Sequence, residues 1–431
     1  MRVLLVNPPN CGRSIPEERY GMRSLKQFFR GEPLALEVLA GNLAGHEVEI
    51  LDLKADPGGL PAALARLRPQ IVGLTAVTCE ANTALRLAGE IKESCGAITV
   101  VGGVHASNDP DFFNRPGVDY VAAGLAKASF AELVAAVDRG RDTAGVPGIA
   151  RTAPGAPLPR ITRVFSPSDL VEDAPPRYDL VAAYRDHYVI SKLNIKQGFV
   201  ASAFGCPFSC AFCSVDALTG GRYLTQSIGA VLRDIGLLGD LPVIRLVDAN
   251  TFGDIRHARR LAEAILEAGI RKHFIVDARA DTIVRHPDLI RLWKDAGLRS
   301  VIIGFEEIAD GDLRSMNKSS TVSAGDEAIA LLHEIGVTIV GDFIVSPEYD
   351  EARFDALGAY LADRRVDLPM LSVLTPLPGT PLHADMQDRL VVRDLDYYTL
   401  TNAVLPTRLD ERRFYERYAG LVTAAHAGAR V

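Results

Sequence analysis

The strongest constraint on this chain is a repeated alternation: short, continuously apolar runs rich in Val and Ile, each followed by a longer segment of helical periodicity. Near the start the runs are Val3–Val6, Val48–Leu51, Ile71–Thr75, Ile98–Val101 and Tyr120–Ala122, with helical patterns at Leu34–Ala44, Gly59–Leu67, Ala81–Ser94 and Ala126–Val137. Runs without polar alternation belong to strands buried on both faces, so the pattern predicts a parallel sheet covered by helices, a Rossmann-like domain. A second series predicts strands at Phe199–Ala203, Val243–Asp248, Phe274–Ala278, Ser300–Gly304, Thr338–Phe343 and Leu371–Thr375. Helical patterns at Ile228–Leu238, His257–Ala268, Asp288–Ala296, Ala324–Ile335 and Glu351–Asp363 separate them. Six βα units in one run predict an α/β partial barrel whose ligands gather at the C-terminal strand ends. The expected layout is a Rossmann-like domain over 1–140, a Pro, Gly and Ala-rich surface linker over 141–197, the barrel over 198–384 and a small helical cap over 385–431.

Composition narrows the class. A chain of 431 residues with 48% hydrophobic side chains can bury two or three cores. No apolar run approaches the length of a membrane span, and the N-terminus lacks a signal-peptide pattern, so a cytoplasmic protein without a membrane span is expected. A net charge of −7 lacks the basic footprint of a nucleic-acid binder, and no nucleic-acid partner is expected. Six cysteines at irregular spacing do not make a disulfide framework.

Three of those cysteines fall in GCPFSCAFCS, residues 205–214, as Cys206, Cys210 and Cys213. The spacing differs from the paired knuckles of a structural zinc site, and no nearby His or Cys completes a fourth ligand. Three thiolates on one loop can hold three irons of a cubane cluster and leave the fourth open for chemistry. The loop also follows the first barrel strand, at the catalytic end of such a fold. Cys11, Cys79 and Cys95 read as small buried apolar residues.

This C-x-x-x-C-x-x-C loop, with aromatic Phe212 before its last cysteine, resembles the radical S-adenosylmethionine (SAM) enzymes. The resemblance implies a [4Fe-4S] cluster on Cys206, Cys210 and Cys213, SAM chelated at the open iron, and its reductive cleavage to a 5′-deoxyadenosyl radical by an external one-electron donor such as flavodoxin or ferredoxin. It also implies that Phe212 lies against adenine. Asp248 and Asn250 of RLVDANTFGD would stand beside the methionyl amine, and Arg279 of DARAD would face the SAM carboxylate or ribose. Gly304 and Glu306 of IIGFEE match the family's glycine and glutamate signature, while LTPLPGTPL would shape the barrel mouth.

The first domain, with VNPP, GHEVEILD and VVGGVHAS, resembles that of the cobalamin-binding subfamily of radical SAM enzymes, the class B methyltransferase-like group. Cobalamin would then lie near Asn7, Pro8, Thr75, Thr78, Gly102, Gly103 and His105, the two glycines letting the backbone approach the macrocycle. Two departures stand out. No D-x-H-x-x-G follows the first strand, so no histidine lower ligand is expected; and Gly124, Leu125, Ala126 and Lys127 stand where many relatives have an acidic turn. His46 and His105 read first as hydrogen-bonded structural residues. The absence of G-x-G-x-x-G excludes a nicotinamide fingerprint.

The implied activity is cobalamin-dependent methyl transfer to an unactivated carbon of a small natural-product or lipid precursor. The same architecture also carries out dehydration, cyclisation or rearrangement of sugars, hopanoids or tetrapyrroles, in some members without cobalamin. A non-catalytic iron–sulfur or corrinoid-binding protein would leave Asp248, Arg279 and Glu306 without a purpose. Arg222, Tyr223, His383, Tyr397 and Tyr398 lie in segments able to face substrate, with packing or solvation as the plainer role for each.

Overall fold

The computed structural model describes residues 1–22, 31–159, 163, 165, 174–190 and 195–429. They form two compact units whose sequence segments interleave: Ser214–Asp240 belongs with the first, and the helix Ile15–Tyr20 with the second.

In the first unit, β1 (Arg2–Asn7), β2 (Glu47–Asp52), β3 (Ile71–Thr75), β4 (Ile98–Gly102), β5 (Tyr120–Ala122) and β6 (Ile149–Arg151) form one sheet in the order β2-β1-β3-β4-β5-β6. β1 to β5 pair in parallel, as expected for strands whose Val and Ile residues are buried on both faces. The strand order reverses between β1 and β3, the switch point at which open α/β sheets bind ligands. Asn7, Asp52, Thr75 and Gly102 end four of these strands.

The expected surface linker is not a linker throughout. β6 lies within it and closes the sheet antiparallel to β5. Phe165, Tyr178, Val181 and Tyr188 from the same stretch are buried in the first unit. Tyr178 Oη donates to Phe199 O at 2.9 Å, and Tyr188 Oη to Asp52 Oδ2 at 2.8 Å. Aromatic side chains seat this Pro- and Gly-rich segment where helical periodicity is weak.

The second sheet contains β7 (Ile195–Val200), β8 (Val243–Leu246), β9 (His273–Ala278), β10 (Leu298–Glu306), β11 (Thr338–Val345) and β12 (Leu368–Val373), in the order β12-β11-β10-β9-β8-β7. These six parallel strands make a half-barrel. The short strand Val189–Ile190 pairs antiparallel with β7. β7 begins four residues before the apolar run that predicted it, since Ile195, Lys196 and Gln197 hide its start; β12 likewise opens ahead of its run because Pro369 interrupts the pattern. Along β10, β11 and β12 buried residues under the helices alternate with half-buried residues facing the concave side. Trp293, the single tryptophan, is wholly buried against Phe252 and Phe274.

The C-terminal cap is built on the helix Glu411–Ala427. Its Tyr418 Oη donates to Leu371 O at 2.7 Å, and Arg413 pairs with Glu351. The helix Ile15–Tyr20 joins it: Ile15 N donates to Asn402 Oδ1 at 2.8 Å, and Tyr20 Oη to Glu411 at 2.6 Å.

Candidate functional site

The cysteine loop follows β7. Gly205 takes a left-handed φ of +76°, which turns the chain into the loop at a position where a side chain would be strained. Cys206, Cys210 and Cys213 are half-buried and none is in a disulfide. The loop is tied down through other atoms. Ala211 N donates to Met316 O at 2.9 Å, Leu382 N to Ala211 O at 2.9 Å, and Asn317 Nδ2 to Ser209 O at 2.6 Å. Burial raises the Cys206 thiol above its ordinary value. Among the described residues no three His, Cys, Asp or Glu side chains converge on one metal ion. Three thiols on separate positions suit three irons of one cluster, each needing a single sulfur.

Phe212 packs in a small apolar group with Met316, Ile344, Leu374 and Leu382 at the C-terminal strand ends. Leu382 and Leu374 come from LTPLPGTPL, so that segment helps to anchor the cysteine loop.

Asp248 and Arg279, expected beside SAM, both have protein partners next to the cysteine loop. Asp248 is buried, and its Oδ1 accepts from Ser202 N at 2.7 Å and Ala203 N at 2.9 Å while Oδ2 accepts from Ser202 Oγ at 2.6 Å. It braces the turn between β7 and the cysteine loop. Arg279, also buried, stacks its guanidinium 3.8 Å over Phe208, pairs with Asp281 at 2.9 Å and donates to Ser319 O. Phe208 lies between the first two cysteines, so Arg279 clamps the loop. Asn250 is buried in the loop after β8.

Gly304 and Glu306 form a single device at the end of β10. A β-bulge shifts the register to β11 between them, and Glu306 has a φ of +66°, rare for a residue with a side chain. The bulge folds the Glu306 carboxylate back over Gly304. A Cβ at Gly304 would lie 2.2 Å from Glu306 Oε1 and 3.0 Å from Lys318 Nζ. Glu306 and Lys318 form a buried ion pair at 2.7 Å. Adjacent Glu307 instead serves the framework, accepting from Tyr349 Oη at 2.7 Å and Arg353 at 2.8 Å.

Sequence reasoning missed Lys318, Phe208 and three charged residues on the concave face, Arg245, Asp277 and Asp342. The signal was available: Asp277 in FIVDA and Asp342 in TIVGDF interrupt otherwise apolar strands, and a charge there needs a purpose. Burial pushes Asp277 up to about 6, against the pull of Arg245 at 2.6 Å.

In the first unit the expected cobalamin residues sit at the C-terminal strand ends. Asn7 is buried, with Nδ2 donating to Asp52 Oδ1 at 2.8 Å. Pro8 and Thr78 are buried, and Thr75 and Gly102 half-buried. Gly103 has a φ of +97°, and a Cβ there would meet Thr75 Oγ1 at 2.6 Å and Ala76 N at 2.8 Å. The need for glycine at 103 therefore comes from the close approach of its own chain. His105 was expected to be hydrogen-bonded. Instead it is buried edge-on to Phe112 and Phe113, and neither ring nitrogen has a hydrogen-bond partner among the described residues. Burial lowers it to about 4, so its ring is neutral at pH 7. An orphaned buried imidazole at the mouth of an α/β sheet fits a ligand rich in amide groups. His46 follows the structural expectation, meeting the N-terminal amine at 3.0 Å.

The altered turn at Gly124–Lys127 is filled from its own unit: a Cβ at Gly124 would lie 2.4 Å from Phe165 Cζ. Of the residues in segments able to face substrate, Arg222 donates to Phe165 O at 2.8 Å, Tyr397 Oη to Glu18 at 2.7 Å, and Tyr398 Oη to Val392 O at 3.1 Å. His383 N caps a turn through Thr380.

Residues 26–134 match the B12 binding domain family, and residues 200–357 the radical SAM superfamily. The chain is a radical SAM enzyme with a B12-binding domain. Its cofactors are a [4Fe-4S] cluster, SAM and cobalamin. The enzyme is 29% identical to a hopanoid C-3 methylase of Methylococcus capsulatus over 90% of this chain and 75% of that one. It is 27% identical to an anaerobic magnesium-protoporphyrin IX monomethyl ester cyclase of Rubrivivax gelatinosus, over 89% of this chain and 72% of that one. Its fold matches TsrM of Kitasatospora setae, a radical SAM methyltransferase solved with cobalamin and a [4Fe-4S] cluster, with a TM-score of 0.69 and 20% identity, covering 99% of this chain and 91% of that one. Among the described residues no helix is long and apolar enough to cross a membrane.

Proposed function

We propose that the enzyme transfers a methyl group from SAM to an unactivated carbon of a small natural-product or lipid precursor. The observation that carries this reading is one chain holding both the cysteine loop and a B12-binding domain, alike to a hopanoid methylase across both. When bound, the cluster and SAM supply a carbon-centred radical and cobalamin supplies a methyl carrier. The chain's own residues hold and orient. Cys206, Cys210 and Cys213 ligate iron; Phe212, Gly304, Glu306 and Asn250 form the SAM site, with Lys318 fixing the Glu306 carboxylate. Asp248 and Arg279 are positioning residues that hold the loop. Asn7, Pro8, Thr75, Thr78, Gly102, Gly103 and His105 receive the corrin and its amides, His105 through a neutral ring. An external one-electron donor reduces the cluster, and a reducing compartment such as the cytoplasm suits thiols of which none is in a disulfide.

A second reading, ring closure without methyl transfer, draws on the likeness to the ester cyclase over both domains. One experiment separates the two without a known substrate. Anaerobic enzyme reconstituted with iron, sulfide and hydroxocobalamin is given SAM and reduced flavodoxin. Methyl transfer predicts cobalt retained with S-adenosylhomocysteine and 5′-deoxyadenosine both formed; 5′-deoxyadenosine alone favours ring closure. Neither product would overturn both readings.

A further inference from the structure

The concave face of the half-barrel carries more acid than base. Asp277 pairs in register with Ile302, and Gly304 with Asp342, and neighbours in a parallel sheet project to the same face. Asp277, Gly304 and Asp342 therefore share the lumen with Arg245, which reaches Asp277 at 2.6 Å. Each cation here is already matched: Arg245 to Asp277, Lys318 to Glu306, Arg279 to Asp281. Asp342 is the carboxyl left over. It is half-buried and has no hydrogen bond or ion pair among the described residues.

Its surroundings decide its charge. Asp342 stands beside Gly304, which has no side chain to shield it from the lumen, and two positions below Ile344, part of the apolar group that holds Phe212. The titratable groups facing it are Glu306 on β10, Asp277 on β9, Arg245 on β8 and Lys318 after the helix Asp310–Ser315; its neighbour on β12 is Met370. Burial, then Glu306 and Asp277, push Asp342 up to about 7 against the pull of the two cations. A carboxyl held near neutrality in a concave site ionises when a positive charge arrives.

We propose that Asp342 is the counter-charge for the sulfonium of SAM, giving up its proton to solvent when the cation enters the lumen. This rests on SAM occupying the space beside Gly304 and Glu306. The sulfonium is the one charge that distinguishes SAM from S-adenosylhomocysteine, whose sulfur is neutral; the amine and carboxylate are common to both. Proton release that depends on Asp342 and on the sulfonium together is the signature of this pairing.

The test is isothermal titration of the anaerobically reconstituted enzyme with SAM and with S-adenosylhomocysteine, each in two buffers of different ionisation enthalpy. At pH 7 SAM is expected to release about half a proton more than S-adenosylhomocysteine, because a group titrating near 7 is half-protonated there, and the excess should approach one proton near pH 6. Asp342→Asn should abolish the excess and weaken SAM about tenfold while changing S-adenosylhomocysteine binding little. Equal proton release for the two ligands in the unaltered enzyme, or an excess that survives in Asp342→Asn, overturns the proposal. Binding of neither ligand overturns the SAM site itself, a failure separate from that of Asp342.

Discussion

Replacing Asp248 distinguishes a brace from a ligand contact. Its carboxylate accepts three hydrogen bonds from Ser202 and Ala203, four and three residues ahead of Cys206. In Asp248→Asn the amide oxygen can keep both backbone N–H groups, and its NH2 can face Ser202 Oγ, which rotates to accept. The expected loss is about 1 kcal/mol. In Asp248→Ala two buried N–H groups lose their acceptor, at roughly 1–3 kcal/mol each, for a total of about 4 kcal/mol. Anaerobic denaturant titration followed by Trp293 fluorescence reads this directly, because Trp293 is buried in the same unit. Iron content after reconstitution gives the second readout. The Ala variant should lose most of its iron and the Asn variant keep it, with SAM affinity falling only as iron does. If both variants keep wild-type stability and iron but bind SAM weakly, Asp248 touches the ligand and the bracing role is wrong.

Gly304→Ala should displace the Glu306 carboxylate from Lys318, since the added carbon would lie 2.2 Å from Oε1; SAM binding by equilibrium dialysis should weaken at least tenfold with iron retained, and an unchanged dissociation constant would remove Glu306 from the site. Alanine at Cys206, Cys210 and Cys213 together should abolish the iron–sulfur absorbance and all 5′-deoxyadenosine formation. His105 makes stability pH-dependent: its folded value of about 4 lies below the unfolded 6.5, so the unfolded chain binds the extra proton, and the contribution is full above 6.5 and lost as pH falls toward 4. The loss integrates to about 3 kcal/mol, and His105→Phe should flatten that part of the profile measured in unfolding titrations from pH 7 to 4.5. An equally steep profile in the variant would show that other groups carry it.

Much of the fold was legible because each of its signals is local. Val3–Val6 and Ile71–Thr75 announce buried parallel strands through the absence of polar alternation, and the structure extends them by a residue or leaves them unchanged. Less legible were β6 and the segment from Tyr178 to Tyr188, where single aromatic anchors replace periodicity. The helix Ile15–Tyr20 could not be assigned to the cap, because its partners, Asn402 and Glu411, are nearly four hundred residues away.

The same division runs through the site. Sequence alone determined the cysteine loop and its place after the first barrel strand, since thiol spacing and strand order are properties of consecutive residues. The resemblance to the family's signature singled out Gly304 and Glu306, which the structure brings together on one bulge. Only tertiary structure decided what each acid meets. Asp248 braces a turn, Glu307 meets Tyr349 and Arg353, Lys318 fixes Glu306, and Asp342 has no hydrogen bond or ion pair among the described residues. The physical reason is that a carboxylate's role is set by the donors and charges within a few ångströms, and β-sheet register draws those from strands far apart in the chain.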